Sequence, residues 1–168
     1  MAKRARPKEV EANRLYERAD ECWSQGRLRP AFRLFLAAAK GGVVPAYRIV
    51  GQFYDQGDGV KANEEAALYW YRRASHHGDE CAANNIGCIW RDRGKLRRAI
   101  WWFKRAAESG DDDANLNIAK VYLRNGCDLR KAIHYLRKTV KSGATEGSRE
   151  EADFLLGQLK SSETKSSS

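Results

Sequence analysis

The sequence predicts an all-α fold, a stack of four helix-turn-helix repeats closed by a capping helix. Two observations carry that prediction. Ala recurs at 31, 67, 99 and 132, and each is followed eleven residues on by Gly, at 42, 78, 110 and 143. Around this repeat the apolar residues keep helical spacing, which is how arrays of small helical units are recognised.

The segment from each Ala to its Gly is here termed helix B. Its apolar pairs recur three and four positions after the Ala as Leu34-Phe35, Trp70-Tyr71, Trp102-Phe103 and Tyr135-Leu136. Seven and eight positions after it come Ala38-Ala39, Ala74-Ser75, Ala106-Ala107 and Thr139-Val140. That is the stripe of an amphipathic helix. The closing Gly is expected in the left-handed conformation that ends a helix.

Helix A precedes each helix B. A small residue and a partner three positions on mark it, at Ala19/Cys22, Gly51/Tyr54, Gly87/Trp90 and Ala119/Tyr122. The small residue permits close approach to a neighbouring helix, and the larger partner fills the space beside it. Asp79, Asp111 and Asp128 are read as N-caps, Asn63 as the cap of the second helix B, and Pro45 as a first-turn residue. Ser148 and Glu151 form a capping box ahead of Ala152, Phe154, Leu155, Leu156 and Leu159.

The expected organisation is a basic segment at 1–10, repeats at 11–43, 44–78, 79–110 and 111–143, a capping helix at 148–160 and a disordered Ser-rich tail at 161–168. The array buries each unit's apolar face against its neighbours, so its end needs an amphipathic closing helix.

Several function classes fall away. No stretch approaches the ~20 apolar residues of a membrane-spanning helix, and the charged opening residues do not read as a signal peptide, so the expected address is the cytoplasm. Cys22, Cys81, Cys88 and Cys127 form no C-x-x-C pair and are read as reduced packing residues. His76 and His77 close a helix B, and only His134 remains beside them, so no metal site is expected. Asp111 to Asp113 are read as cap and dipole partners. Gly57-x-Gly59 lacks the strand and Lys of a phosphate loop. No nucleophile elbow or paired-acid constellation appears, so neither a catalytic residue nor a cofactor is assigned and the chain is not read as an enzyme.

The second unit reads Tyr47-x-x-Val50-Gly51-x-x-Tyr54, Gly57-Asp58-Gly59-Val60, then Ala67-x-x-Trp70-Tyr71-x-x-Ala74 and Gly78. It resembles the Sel-one-like repeat (SLR) branch of the tetratricopeptide superfamily. The third unit, Ile86-Gly87-x-x-Trp90 with Ala99-x-x-x-Phe103-x-x-Ala106, is similar to a tetratricopeptide unit. The resemblance covers residues 11–143. It implies a right-handed α-solenoid used as a scaffold for protein partners, with regulators and dedicated inhibitors of effector proteins among members of this size.

It also implies a concave groove lined by helix A. The groove positions correspond to Tyr16, Asp20, Trp23, Arg48, Gln52 and Asp55, then Asn84, Cys88, Arg91, Lys120, Leu123 and Arg124. This polar and aromatic set suits a peptide or protein surface. Tyr16 and Asp20 stand where a carboxylate clamp for chaperone tails would have Lys and Asn, so that ligand is not expected.

The net charge of +9 divides unevenly: the helix A segments together carry −7 and the helix B segments +15. By the resemblance helix B lines the convex side. The alternative function is therefore a basic repeat that binds nucleic acid through helix B. Against it, Trp70, Trp102 and Phe103 fall on the apolar stripe, whereas base stacking needs exposed rings. A protein-binding adaptor or regulator is the function the sequence favours.

Overall fold

A computed structural model describes residues 7–124 and 128–166. Among them are nine helices and no strand. Residues 1–6 of the basic segment, Cys127, and the last two residues of the Ser-rich tail lie outside the described residues. The chain forms two compact units, Met1–Ala82 and Ala83–Ser168.

The first unit holds α1 (Pro7–Ser24), α2 (Leu28–Lys40), α3 (Val44–Gln56) and α4 (Glu64–His76). α1 packs on α2, α2 on α3 and α3 on α4. The predicted stripes make this core: Ala31, Phe35, Ala38, Ala67, Tyr71 and Ala74 are all at most 1% exposed. Burying a ring such as Phe35 contributes on the order of 1.5–3 kcal/mol. Phe35 meets Tyr16 edge-on at 5.4 Å and Trp23 at 5.7 Å, and Phe53 lies 5.9 Å away.

The longer loop between α3 and α4 has a packing reason. Gly59 has φ +65°, and a Cβ built there would lie 2.6 Å from the carbonyl carbon of Leu28 and 2.7 Å from the nitrogen of Arg29. The loop thus rests on the backbone that opens α2. It closes with Asn63, whose amide donates to the Tyr54 carbonyl and whose side chain accepts from the Ala66 amide at 3.0 Å.

α5 (Glu80–Asp92) begins in the first unit and runs into the second, which continues with α6 (Leu96–Glu108), α7 (Ala114–Arg124), α8 (Leu129–Lys141) and α9 (Glu146–Ser166). α6 packs on α7, α7 on α8, and α8 on α9. Leu116, Ala119, Leu136 and Ala152 form a core against which Leu155, Leu156 and Leu159 of α9 pack.

The N-caps follow the sequence at Asn63, Asp79 and Asp128: their carboxylate or amide oxygens accept from Ala66, Ala82 and Lys131. Several local readings are corrected. α7 starts at Ala114 rather than just after Asp111. Asp112 instead accepts from the Gly143 amide at 2.8 Å, and Asp113 from the Thr145 amide at 2.9 Å, so these acids tie down the α8–α9 connection. Gly143 is not left-handed, because Ser142 ends α8 in an extended conformation, whereas Gly42, Gly78 and Gly110 do have positive φ.

The last helix starts at Glu146, not after Ser148, because the Thr145 hydroxyl accepts from the Ser148 amide and does the capping. It also extends to Ser166, through residues expected to form the tail. At the other end α1 already starts at Pro7, so the basic segment overlaps the first helix. Cys81 is exposed and does not fill a core position, unlike the half-buried Cys22 and Cys88.

Candidate interaction site

In the first unit, Tyr16, Val44, Pro45, Arg48, Ile49 and Asp79 line an open cleft with His77 at its edge. Its position follows from the helix register: Tyr16 lies three residues before the small Ala19, and Arg48 three before Gly51. One turn of helix separates the pairs, so each side chain emerges on the face that carries the small residue.

Arg48 is half-buried, and its Nε donates to Asp79 Oδ2 at 3.0 Å. Asp79 thus caps α5 with one oxygen and holds Arg48 with the other. Burial raises the Tyr16 hydroxyl above the usual tyrosine pKa, the nearby Asp20 carboxylate adds to that, and Arg48 opposes it. Tyr16 is therefore a neutral donor beside a fixed guanidinium. Such a pair suits a carbonyl or carboxylate of an incoming chain.

The other predicted positions of this unit are engaged differently. The Gln52 amide donates to Gln56 at 3.3 Å, and Asp55 accepts from the Tyr71 hydroxyl at 3.3 Å. Asp20 is exposed. Trp23 is half-buried and packs between Phe35 and Phe53, so much of its ring belongs to the core.

In the second unit, Asn84 accepts from Asn117 at 2.9 Å. Arg91 pairs with Asp92 at 2.8 Å, and that hydrogen bond is the main reason its guanidinium is held above its ordinary pKa. Lys120 reaches Glu151 of α9 at 2.8 Å. Leu123 packs on the core cluster, whereas Arg124 is exposed. The structure brings Tyr16 and Arg48 to one cleft. Among the remaining groove positions, Gln52, Asp55, Asn84, Arg91 and Lys120 pair with neighbours within their own unit.

Sequence reasoning missed Asp79 and Asn117 as partners of this face. Asp79 was visible as a cap, and a carboxylate can serve two donors at once. It also missed two exposed rings on helix B, Tyr69 and Trp101, each 54% exposed. Trp70 and Phe103 are buried as expected and Trp102 is half-buried, but each exposed ring sits one residue before a stripe position and so escapes a search of the stripe.

Among the described residues no group of three or more His, Cys, Asp or Glu could hold a metal ion, and no helix is long and apolar enough to cross a membrane.

A family model described as the Sel1 repeat matches residues 44–79, 91–111 and 114–143. Among solved structures, a Sel1 repeat protein from Oxalobacter formigenes is 28% identical with a TM-score of 0.69 over 89% of this chain and 62% of its own. The protein c5321, a protective antigen present in uropathogenic Escherichia coli strains and displaying an SLR fold, is 28% identical with a TM-score of 0.66, over 79% of this chain and 31% of its own. The chain thus spans less than two thirds of either protein's length. MamA, at 18% identity and a TM-score of 0.64 over 83% of this chain and 79% of its own, shares the fold. The fold is that of the all-α helical-repeat proteins, as the residues predict.

Proposed function

Because the chain belongs to the Sel1 repeat family, we propose that it is a non-enzymatic scaffold that holds a protein or peptide partner on its helix A face. The observation that carries this reading is the cleft of Tyr16 and Arg48, an aromatic donor beside a guanidinium anchored by Asp79. Tyr and Arg dominate the energetics of protein interfaces because each supplies large contact area together with directed hydrogen bonds. Asp20, Trp23, Gln52 and Asp55 extend the surface in the first unit, and Asn84, Arg91, Lys120 and Arg124 supply it in the second. The partner is an adaptor target or an effector that the scaffold restrains. The cytoplasm is its place of action, where an exposed thiol such as Cys81 stays reduced.

The test is affinity purification with mass spectrometry on nuclease-treated extract, using the wild type and the variant Arg48→Glu with Arg91→Glu. A polypeptide enriched by the wild type and lost with the variant is the expected result. Reversing two charges replaces attraction with repulsion and leaves partner groups unpaired. Arg48→Gln serves as the milder control, since it loses the Asp79 ion pair without reversing charge. Recovery of the same polypeptide by both proteins overturns the choice of face.

A further inference from the structure

The two exposed rings occupy the same place in the repeat. Counting from the Ala that opens the helix B stripe, position +2 is Tyr69 in α4, Trp101 in α6 and His134 in α8. Positions +5 and +6 are Arg72 and Arg73, Lys104 and Arg105, and Arg137 and Lys138. In all three helices a flat ring is thus followed one turn later by two cations. The first repeat departs from the pattern with Arg33, Leu36 and Ala37.

The geometry in each unit turns that register into a surface. In α6, Arg105 lies with its guanidinium carbon 5.7 Å from the Trp101 ring centre and 5.8 Å from that of Trp102, and Trp101 and Trp102 meet edge-on at 4.8 Å. In α4, Arg73 is 4.5 Å from the Tyr47 ring and 6.0 Å from that of Tyr69, and donates to the Tyr47 hydroxyl at 3.1 Å. These stacked guanidiniums are held in place before any ligand arrives. Arg72, Lys104, Arg137 and Lys138 are exposed and form no ion pair among the described residues. In α8 an open cleft is lined by cations and His134 alone among its titratable groups.

We propose that these ring-and-cation faces, on α4 in the first unit and on α6 and α8 in the second, each bind single-stranded nucleic acid, with bases stacking on Tyr69 and Trp101 and phosphates held by the cations one turn on. Tyr69 and Trp101 are each 54% exposed, so both rings are accessible to a stacking partner. An acidic polypeptide would use the cations but has no group that needs an exposed ring beside each cation pair. A nucleotide uses both, since every base has a π-face and every linkage carries a negative charge. A duplex hides its base faces, so the rings select the single strand. These faces are separate from the helix A residues assigned to a protein partner, and the two activities can stand or fall independently.

The test is fluorescence anisotropy with a labelled oligouridylate of roughly 20 nucleotides, a length that spans one or more sites of the usual size. The full chain should bind it at low salt and release it steeply as salt rises. Tyr69→Ala with Trp101→Ala should weaken binding by about tenfold or more, the loss expected when stacked bases lose their platform. Lys104→Gln with Arg105→Gln should lower affinity and flatten the salt slope by about 0.7 for each phosphate contact removed. Both variants alter exposed residues, and circular dichroism should show unchanged helicity. Phe154→Ser, which removes an exposed ring on α9 without changing charge, should leave oligouridylate binding unaltered. Absence of binding at low salt overturns the proposal. So does poly-L-glutamate binding as tightly as the oligouridylate with the ring variant no weaker than wild type, which would assign these faces to an acidic protein.

Discussion

Gly51 of α3 lies against the ring of Tyr71 of α4 so closely that a Cβ built on the glycine would stand 2.6 Å from Cδ1 of the ring. The relationship recurs one repeat later, where a Cβ on Gly87 of α5 would stand 2.5 Å from Cδ1 of Phe103 on α6. Tyr71 is 1% exposed and Phe103 not at all, so neither ring has space to swing away. The missing side chain is what seats helix A on the largest fully buried side chain of helix B.

Gly51→Leu and Gly87→Leu should therefore each destabilise their unit by ~1–3 kcal/mol or more, as overpacking of a filled core does. Thermal melting followed by circular dichroism measures this. Gly157→Ala in α9 gives the opposite sign, because a Cβ there meets nothing within 4 Å and the position is helical. It should stabilise by ~0.5–1 kcal/mol. Melting temperatures that do not separate these variants would mean that the close helix contacts are wrongly placed.

Gly59→Ala tests the loop that only the second repeat has. The substitution combines a positive φ with a collision against the Leu28 backbone, and backbone cannot rotate away as a side chain can. The expected cost is about 2 kcal/mol or more, above the ~1 kcal/mol of strain alone. Gly26→Ala is the comparison, since Gly26 has φ +72° but nothing within 4 Å. Equal losses in urea unfolding would show that the loop does not rest on α2.

The repeats were legible because their determinants are local and periodic: an apolar stripe, a small residue and a closing glycine each recur at fixed spacing. The acids of Asp111 to Asp113 were not, because their partners at Gly143 and Thr145 lie more than thirty residues away and are backbone amides, which any residue can supply. The same holds at the start of α9, where Thr145 and Ser148 both offer hydroxyls and only the chain's path decides between them. Of the groove, Tyr16 and Arg48 could be placed by register, but the capping acid that fixes Arg48 opens α5, two helices on. The exposed rings were hidden for another reason. Tyr69-Trp70-Tyr71 and Trp101-Trp102-Phe103 are aromatic runs, and composition alone does not show which member of a run faces out.

At the start of α8, Asp128 bonds both the Lys131 amide and its ammonium group, at 3.0 and 2.9 Å. The side-chain bond to Lys131, then the backbone bond, holds the Asp128 carboxyl below its ordinary pKa. A carboxylate depressed in the folded state stabilises fully above its unfolded pKa of about 3.9, and that contribution disappears as pH falls through the lower folded value. Lys131 is raised by the same pair, so its share is present below about 10.4 and lost as pH rises through the raised value. Asp128→Asn keeps the cap and removes the charge. Its stability in urea should fall slightly below wild type near neutral pH, and the two should converge as the pH falls through the lowered folded value. A gap that persists in acid would assign the effect to cap geometry alone.

The last prediction concerns α9, whose inward face is set by Ala152. That residue is fully buried beside Leu116, Ala119 and Leu136, while Leu155, Leu156 and Leu159 cover the same cluster. Phe154, two residues on from Ala152, points outward and is 64% exposed. The helix is thus docked by its small and aliphatic residues rather than by its one aromatic. Phe154→Ser should alter stability by no more than ~0.5 kcal/mol. Leu156→Ser should cost roughly 1–3 kcal/mol, because it replaces part of the cover with a polar group. Removing residues 148–168 altogether should uncover Leu136 and Val140, lose the Lys120–Glu151 ion pair, and drive self-association, since an array whose end is left apolar has no solvent-compatible face there. Removing only 161–168 leaves every one of those contacts in place and should change neither melting nor oligomeric state. Size-exclusion chromatography with light scattering, run beside thermal melts of the four variants and the wild type, reads all of these outcomes. A 148–168 deletion that stays monomeric and melts with the wild type would show that α9 does not close the stack.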